Sequence, residues 1–167
     1  DHGQTWQLGE TAPQAGVNEC EVVELAEGRL LLNMRNYDRE VRARQVAVSD
    51  DGGKSWHDQR HDRTLVAPTC QASIRRIRWP AQGQPGVILF SNPASPNSRE
   101  KLTVRASYDD AQTWPDSRVL HAGSSAYSCL CSLPDGQVGC LYERDNYKQI
   151  VWARFNLEWL QAEQEPR

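Results

Sequence analysis

Five polar residues stand at the ends of apolar, strand-like segments. They are Glu19, Arg35, Arg99, Tyr127 and Glu143. If these strand ends meet, the two arginines would bind an anionic ligand, and a glutamate beside a tyrosine would do acid–base or nucleophilic chemistry. The alternative is structural, since an arginine at a strand end is usually solvated and a tyrosine at a strand start can simply pack.

Residue type and spacing leave two details of such a site open. Glu19 and Glu21 flank Cys20 and would share one face of a strand, so either could be the acid–base group. His57 and His61 are four residues apart in a segment that is polar enough to be a loop. We therefore expect no metal site there, and no cofactor.

A short motif that occurs three times defines the elements that must position these residues. Residues 49–56 and 107–114 follow the pattern S-x-D-x-G-x-[ST]-W, with Ala111 in place of glycine, and residues 1–6 are a truncated copy. In these Asp-boxes the aspartate can hold backbone N–H groups, the glycine permits positive φ, and the tryptophan packs beneath the turn. The boxes are therefore predicted to be folding elements. Their aspartates are 50 and 58 residues apart, which suits one four-stranded propeller blade per repeat.

Between the boxes, the residue pattern predicts three successive sets of strands and one short helix. The strands span 19–25, 29–35 and 41–49, then 71–79, 86–92 and 102–107, then 127–133, 137–143 and 149–155; the helix spans 156–163. The prediction is an all-β fold of about three four-stranded blades. Because propellers close with at least four blades, we expect residues 1–167 to form the C-terminal part of an incomplete propeller.

Composition excludes several classes of protein. The chain of 167 residues has a net charge of −3 and a pI near 5.8, which disfavours nucleic-acid binding. No apolar run approaches the ~20 residues of a membrane span, so no membrane segment is expected. Six Trp and five Tyr with balanced charge argue against disorder.

The cysteines and the remaining arginines are expected to be structural. Five cysteines without a C-x-x-C pair predict free, mostly buried thiols. They favour the cytoplasm, although secretion or a periplasmic location is left open. The basic segment 74–78 is predicted to be a surface strand, and Arg42 and Arg44 to form surface ion pairs.

Several short strings resemble the exo-α-sialidases of the Asp-box type, and they occur in that family's order. They are residues 18–25 (N-E-C-E-V-V-E-L), 33–35 (N-M-R), 69–73 (T-C-Q-A-S), 90–93 (F-S-N-P) with Arg99, 126–128 (A-Y-S) and 141–144 (L-Y-E-R). Together with the boxes, the resemblance spans nearly the whole chain. It implies a six-bladed propeller that removes terminal sialic acid from glycans with retention of configuration.

The resemblance also implies a role for each site residue. Tyr127 would be the nucleophile, with Glu19 as its general base; tyrosine nucleophiles are an exception among glycosidases. Arg35 and Arg99 would be two of three arginines that clamp the substrate carboxylate. Gln71 would help to shape the pocket, and Glu143 would orient the third arginine.

The chain also departs from the family pattern. The Arg-Ile-Pro motif that carries the third clamp arginine and the aspartate that acts as general acid do not occur in it, and Cys129 stands where the family usually has a non-catalytic aspartate. Three interpretations follow. In the first, the chain is part of a sialidase that is completed by an N-terminal half or by self-association. In the second, it is a non-enzymatic propeller that binds glycans or acts as a scaffold, and in the third, it is a fragment that is inert alone.

Overall fold

The computed structural model describes residues 1–162, which form ten β-strands, a 3₁₀ turn (Ala26–Gly28) and one short α-helix. The strands are β1 (Val17–Glu24), β2 (Leu30–Asn36), β3 (Ala43–Ser49), β4 (His57–Val66), β5 (Ser73–Arg78), β6 (Val87–Pro93), β7 (Glu100–Ser107), β8 (Asp116–Ser132), β9 (Val138–Arg144) and β10 (Gln149–Phe155). The helix α1 (Leu157–Gln161) follows, capped by the Asn156 side chain. No helix among these residues is long and apolar enough to cross a membrane.

The strands form three antiparallel blades. Strands β1 to β4 make the first blade, and the other six form one sheet in the order β10-β9-β8-β7-β6-β5. The 17-residue strand β8 belongs to two blades, because residues 116–124 pair with β7 and residues 125–132 pair with β9. The outermost strand of blade two therefore continues as the innermost strand of blade three. Blade three has three strands among the described residues.

The predicted all-β propeller architecture is confirmed, but two outer strands were missed. His57 and His61 lie in β4 and not in a loop, and residues 116–124 form the first part of β8. An outermost strand has one neighbour and open solvent, so it can be polar on both faces and lack the apolar alternation of inner strands. The helix is shorter than predicted, and Glu163 lies outside the described residues.

Two buried clusters join the blades. The first includes Val23 and Leu25 of blade one and Phe90 and Trp114 of blade two, with the two aromatic rings 5.8 Å apart. The second joins blades two and three through Leu102, Val104, Cys140 and Phe155, among others. Each large apolar side chain buried in this way contributes about 1.5–3 kcal/mol. The blades are therefore held together by the hydrophobic effect at their faces.

Residues 22–25 of blade one alternate between its two faces. Val23 and Leu25 pack against blade two, whereas Val22 and Glu24 are exposed. A larger exposed apolar face lies on blade three, where Leu141, Ile150 and Trp152 occupy neighbouring cross-strand positions.

The Asp-boxes form the turns that the motif predicts, but Trp6 of the truncated first box is 90% exposed. In the third box, Asp109 accepts a hydrogen bond from the backbone N–H of Thr113 at 2.9 Å, and the Trp114 side chain is buried. The second box makes the equivalent bond from Ser55 to Asp51 at 2.9 Å. Ala111 has φ of 62°, so it occupies the left-handed conformation that glycine supplies at Gly53.

Two arginines predicted at the surface are buried, and the cysteines are more exposed than expected. Arg44 is fully buried, and it takes part in none of the ion pairs found in residues 1–162. The Arg76 side chain is only 7% exposed and pairs with Asp110. All five cysteines are free, as predicted, but only Cys70 and Cys140 are buried.

Candidate active site

Antiparallel pairing brings the predicted site residues to one edge of the blades. The starts of β1, β5 and the second part of β8, and the ends of β2 and β9, all lie at this edge, which we call the site edge. The Asp-box turns follow β3 and β7 at the opposite edge. The boxes are therefore separated from the site, in agreement with their structural interpretation.

Tyr127, Glu19 and Arg35 contact one another at the site edge. The Tyr127 hydroxyl donates a hydrogen bond to Glu19 Oε1, and Arg35 Nη1 donates to Glu19 Oε2. Arg35 Nη1 also lies 3.4 Å from the Tyr127 hydroxyl oxygen. The Glu19 carboxylate thus bridges the Tyr127 phenol and the Arg35 guanidinium, and 30% of the Glu19 side chain remains exposed.

A β-bulge aims Glu19 at the other two side chains. Asn18 pairs with Arg35 and Cys20 pairs with Met34, which leaves Glu19 as the extra residue between them. Its φ of 34° lies in the left-handed region. Bulges commonly re-aim a side chain next to a functional site, and here the carboxylate leaves the regular alternation of β1.

The contacts favour an ionised glutamate beside a neutral tyrosine. Partial burial opposes ionisation of Glu19, but hydrogen bonds from Tyr127 and Arg35 outweigh it and lower the pKa of this carboxyl. The same hydrogen bond to an anion, together with burial, raises the pKa of Tyr127. At neutral pH the pair therefore consists of a proton acceptor and a phenol that keeps its proton.

Arg99 lies over the aromatic ring of Tyr127. Its guanidinium carbon is 5.8 Å from the centre of the Tyr127 ring. Nη1 donates to the Tyr147 hydroxyl at 2.9 Å, and Nη2 donates to the carbonyl of Thr69 at 3.3 Å. The two predicted clamp arginines thus lie next to the same tyrosine.

Gln71 and Glu143 hold the backbone around Tyr127. The Gln71 amide accepts from the N–H of Ser128 and donates to its carbonyl, both at 3.0 Å. Glu143 Oε2 accepts from the N–H of Tyr127 at 3.0 Å. These bonds fix the start of the innermost strand of blade three.

Glu21, the alternative acid–base group, has a different position from Glu19. Its Oε2 accepts from the backbone N–H of Ile74 on β5 at 2.8 Å. This partly buried carboxylate joins blade one to blade two and makes no hydrogen bond with Tyr127 in the described structure. In residues 1–162, no group of three or more His, Cys, Asp or Glu side chains is arranged to hold a metal ion.

Comparison with known proteins decides the family. The BNR repeat-like domain matches residues 1–140. The chain belongs to this family. It is also 48% identical over 163 residues to the sialidase of Micromonospora viridifaciens, a match that covers 96% of this chain and 25% of that protein. Sialidase-2 of Cricetulus griseus is 32% identical over 95% of the chain and 45% of that protein.

The solved structures agree with these sequence comparisons. The Hadza microbial sialidase Hz136 superposes with a TM-score of 0.82 at 35% identity, over 96% of this chain and 31% of that one. The expected resemblance to Asp-box sialidases is therefore confirmed. This BNR repeat-like chain spans less than half the length of each of these relatives.

Three residues that contact the candidate site residues were missed by sequence reasoning. Tyr147 and the Thr69 carbonyl bind Arg99, and Arg44 lies beneath Glu19, donating to its carbonyl at 3.5 Å. Thr69 acts through its main chain, which residue type does not reveal. For Arg44, the available signal was that it shares one strand face with Val46 and Val48.

Proposed function

We propose that this chain supplies part of the active site of an exo-α-sialidase that releases terminal α-linked sialic acids with retention. Tyr127 is the nucleophile and Glu19 its general base. The observation that carries the proposal is the hydrogen bond from the Tyr127 hydroxyl to Glu19, with Arg35 in contact with both. A base must lie within hydrogen-bond reach of the proton that it removes.

The residue types suit the charge of the substrate. A sialic acid carries a carboxylate on its anomeric carbon, so a carboxylate nucleophile would be repelled. The neutral phenol of Tyr127 avoids this repulsion. Glu19 stays ionised because its pKa is lowered by its hydrogen bonds, despite partial burial, and it can accept the phenolic proton.

In the first step, Tyr127 Oη bonds to the anomeric carbon while its proton passes to Glu19. The glycosidic C–O bond breaks, and its electron pair leaves with the aglycone oxygen, which takes a proton from an acid outside this chain. Water then attacks the anomeric carbon and gives a proton to the same external group, which now acts as a base, while the tyrosyl oxygen leaves and recovers its proton from Glu19. Two inversions at one carbon give net retention.

Arg35 and Arg99 are proposed to bind the substrate carboxylate. Both lie next to Tyr127, and planar guanidinium groups suit a forked grip on a carboxylate. Gln71 shapes this pocket by holding the Ser128 backbone.

Further blades are proposed to complete the site and to cover blade three. They would supply the general acid and the third clamp arginine, which Glu143 would orient. The surface that they would cover includes Leu141, Ile150 and Trp152, and the Trp152 ring lies across Gly139. Large exposed apolar faces of this kind are usually interfaces. A second copy of the chain is the alternative occupant.

Covalent trapping tests the proposal. This chain is placed in the complete propeller, by substituting it for the segment that it matches in the Micromonospora sialidase, and treated with a 3-fluorosialyl fluoride. The fluorine beside the anomeric carbon slows breakdown of the glycosyl-enzyme, so mass spectrometry should find a sialyl adduct on Tyr127. Tyr127→Phe is the matched control and should give no adduct.

The outcomes separate the competing functions. Trapping and turnover of a fluorogenic sialoside by the complete propeller, but not by the separate chain, support the proposal. Binding of sialosides without trapping or turnover supports the glycan-binding module. An adduct on another residue would refute the role of Tyr127.

A further inference from the structure

Arg44 is a fully buried arginine directly beneath the site. Its Nε donates to Asn33 Oδ1 at 2.7 Å, Nη1 to the carbonyl of Cys70 at 2.5 Å, and Nη2 to the carbonyl of Glu19 at 3.5 Å. All three acceptors are uncharged. Burying a cation is costly unless hydrogen bonds or opposite charges compensate for the lost hydration, so these three hydrogen bonds are needed to keep Arg44 in place.

The two main-chain acceptors lie outside the regular strand ladders. Glu19 is the unpaired residue of the β1 bulge, and Cys70 lies in the irregular segment between β4 and β5. A buried carbonyl without a ladder partner needs another donor. Arg44 supplies that donor to both segments, and the fork of its guanidinium sets the distance between them.

The segment around Cys70 carries contacts to the rest of the site. The carbonyl of Thr69, which has φ of 56°, receives Arg99, and the Gln71 side chain holds the backbone of Ser128 next to Tyr127. The Arg44 guanidinium therefore connects Glu19, the proposed base, to residues 69–71. These residues in turn hold Arg99 and the backbone next to Tyr127.

We propose that Arg44 is a positioning residue that fixes the Glu19 bulge relative to residues 69–71, and so sets the geometry between Glu19, Tyr127 and Arg99. The proposal rests on the function proposed above. Lysine cannot replace Arg44, because one ammonium group cannot span three acceptors held by three different chain segments.

Arg44→Lys and Arg44→Met in the complete propeller test this role. Arg105→Met is the matched control, because Arg105 is a largely buried arginine of β7 that contacts none of the site residues in the described structure. We expect both Arg44 variants to lose about 10²-fold in kcat, as displacement of a reacting group by ~1 Å does. KM should change much less, since Arg35 and Arg99 remain, and Arg105→Met should keep kcat.

Crystal structures of the same variants provide a readout that does not depend on activity. In Arg44→Met, the Glu19 carboxylate should leave the Tyr127 hydroxyl, whereas in Arg105→Met the contact should persist. An unchanged Glu19–Tyr127 contact in Arg44→Met would overturn the proposal, as would equal losses of kcat in Arg44→Met and Arg105→Met at equal stability. If the unsubstituted propeller is inactive, the proposed function fails and the crystal structures alone decide the role of Arg44.

Discussion

The Tyr127 hydroxyl donates a hydrogen bond to Glu19, a residue 108 positions away in the sequence. Each residue stands near the start of the innermost strand of its blade, Glu19 in blade one and Tyr127 in blade three. Blade two lies between them and packs against both. The proton acceptor therefore meets the phenol only when all three blades are in place.

The coupling between these residues predicts how Tyr127 titrates. The hydrogen bond to anionic Glu19 is the main reason that the pKa of Tyr127 is raised above its usual value of about 10. In Glu19→Gln that pKa should fall, because ionising Tyr127 no longer places two negative charges together. ¹³Cζ-labelled tyrosine NMR of the protein between pH 8 and 12, in ~0.5-unit steps, follows each phenol separately.

Tyr108 serves as the internal control for this titration. Burial and a hydrogen bond to Asp116 raise the pKa of Tyr108 to about 12, far from Glu19 in the fold. Glu19→Gln should leave this value unchanged. A Tyr127 pKa equal in wild type and Glu19→Gln would contradict the coupling.

Glu19→Gln and Glu21→Gln should differ in kcat in the complete propeller. Loss of a general base lowers kcat by about 10²–10⁴-fold, so Glu19→Gln should do this. Glu21 accepts from the backbone N–H of Ile74, and because a glutamine side-chain oxygen can still accept that bond, Glu21→Gln should spare kcat. The measurement is steady-state hydrolysis of a fluorogenic sialoside. A larger loss of kcat in Glu21→Gln would reverse the assignment.

The pH dependence of the wild-type rate follows from the same carboxylate. The pKa of Glu19 is lowered by its hydrogen bonds to Tyr127 and Arg35, which outweigh the effect of burial, so the base form persists as the pH falls. The acid limb of kcat/KM that reports Glu19 should therefore lie below pH ~4.3, the usual glutamate value. In Arg35→Met this limb should move to higher pH, because the guanidinium that stabilises the carboxylate is gone. An acid limb that does not move in Arg35→Met would argue against Glu19 as its source.

Arg76 and Asp110 should contribute strongly to the joint between blades one and two. Arg76 Nη2 lies 2.5 Å from Asp110 Oδ1, Arg76 Nε donates to the carbonyl of Glu24 at 2.7 Å, and the N–H of Ala26 donates to Asp110 at 3.0 Å. The pair is partly buried, so Arg76→Met should destabilise by about 1.5–3 kcal/mol in urea unfolding, the usual contribution of a hydrogen bond to a charged group. Arg154→Met, which breaks an exposed pair with Asp135, should cost less than about 1 kcal/mol. Equal losses of unfolding free energy in Arg76→Met and Arg154→Met would show that the Arg76–Asp110 pair does not hold the two blades together more strongly than an exposed ion pair does.

The second and third Asp-boxes allow a reciprocal test of backbone strain. Gly53 has φ of 86°, and a Cβ there would meet only ordinary van der Waals contacts, so Gly53→Ala should cost about 1 kcal/mol through strain alone. Ala111→Gly relieves the same strain but removes a buried methyl group, so its net effect should be smaller than that of Gly53→Ala. Urea unfolding of both variants measures this, and a loss in Ala111→Gly as large as in Gly53→Ala would refute the strain argument.

Local patterns predicted much of the fold and the membership of the site. The Asp-boxes are short-range constructions in which a side chain binds backbone groups four residues away, so residue type and spacing were sufficient to predict them. Inner strands alternate or are wholly apolar because packed blades cover them, which made β1, β2 and β6 recognisable. The outer strand β4 lacked this signal because most of it faces solvent.

Sequence by itself determined an all-β chain of repeated blades and a set of arginine, glutamate and tyrosine residues that resembles a sialidase site. Only the tertiary structure decided how they meet. It made β8 one strand shared by two blades, placed Glu19 on a bulge and Glu21 in the joint between blades, and buried Arg44 beneath the site. These outcomes depend on contacts between residues far apart in sequence, whose free energy is gained only when the blades pack. Arg44 in β3 was therefore predicted to lie at the surface, because only the fold brings together its acceptors Asn33, Cys70 and Glu19.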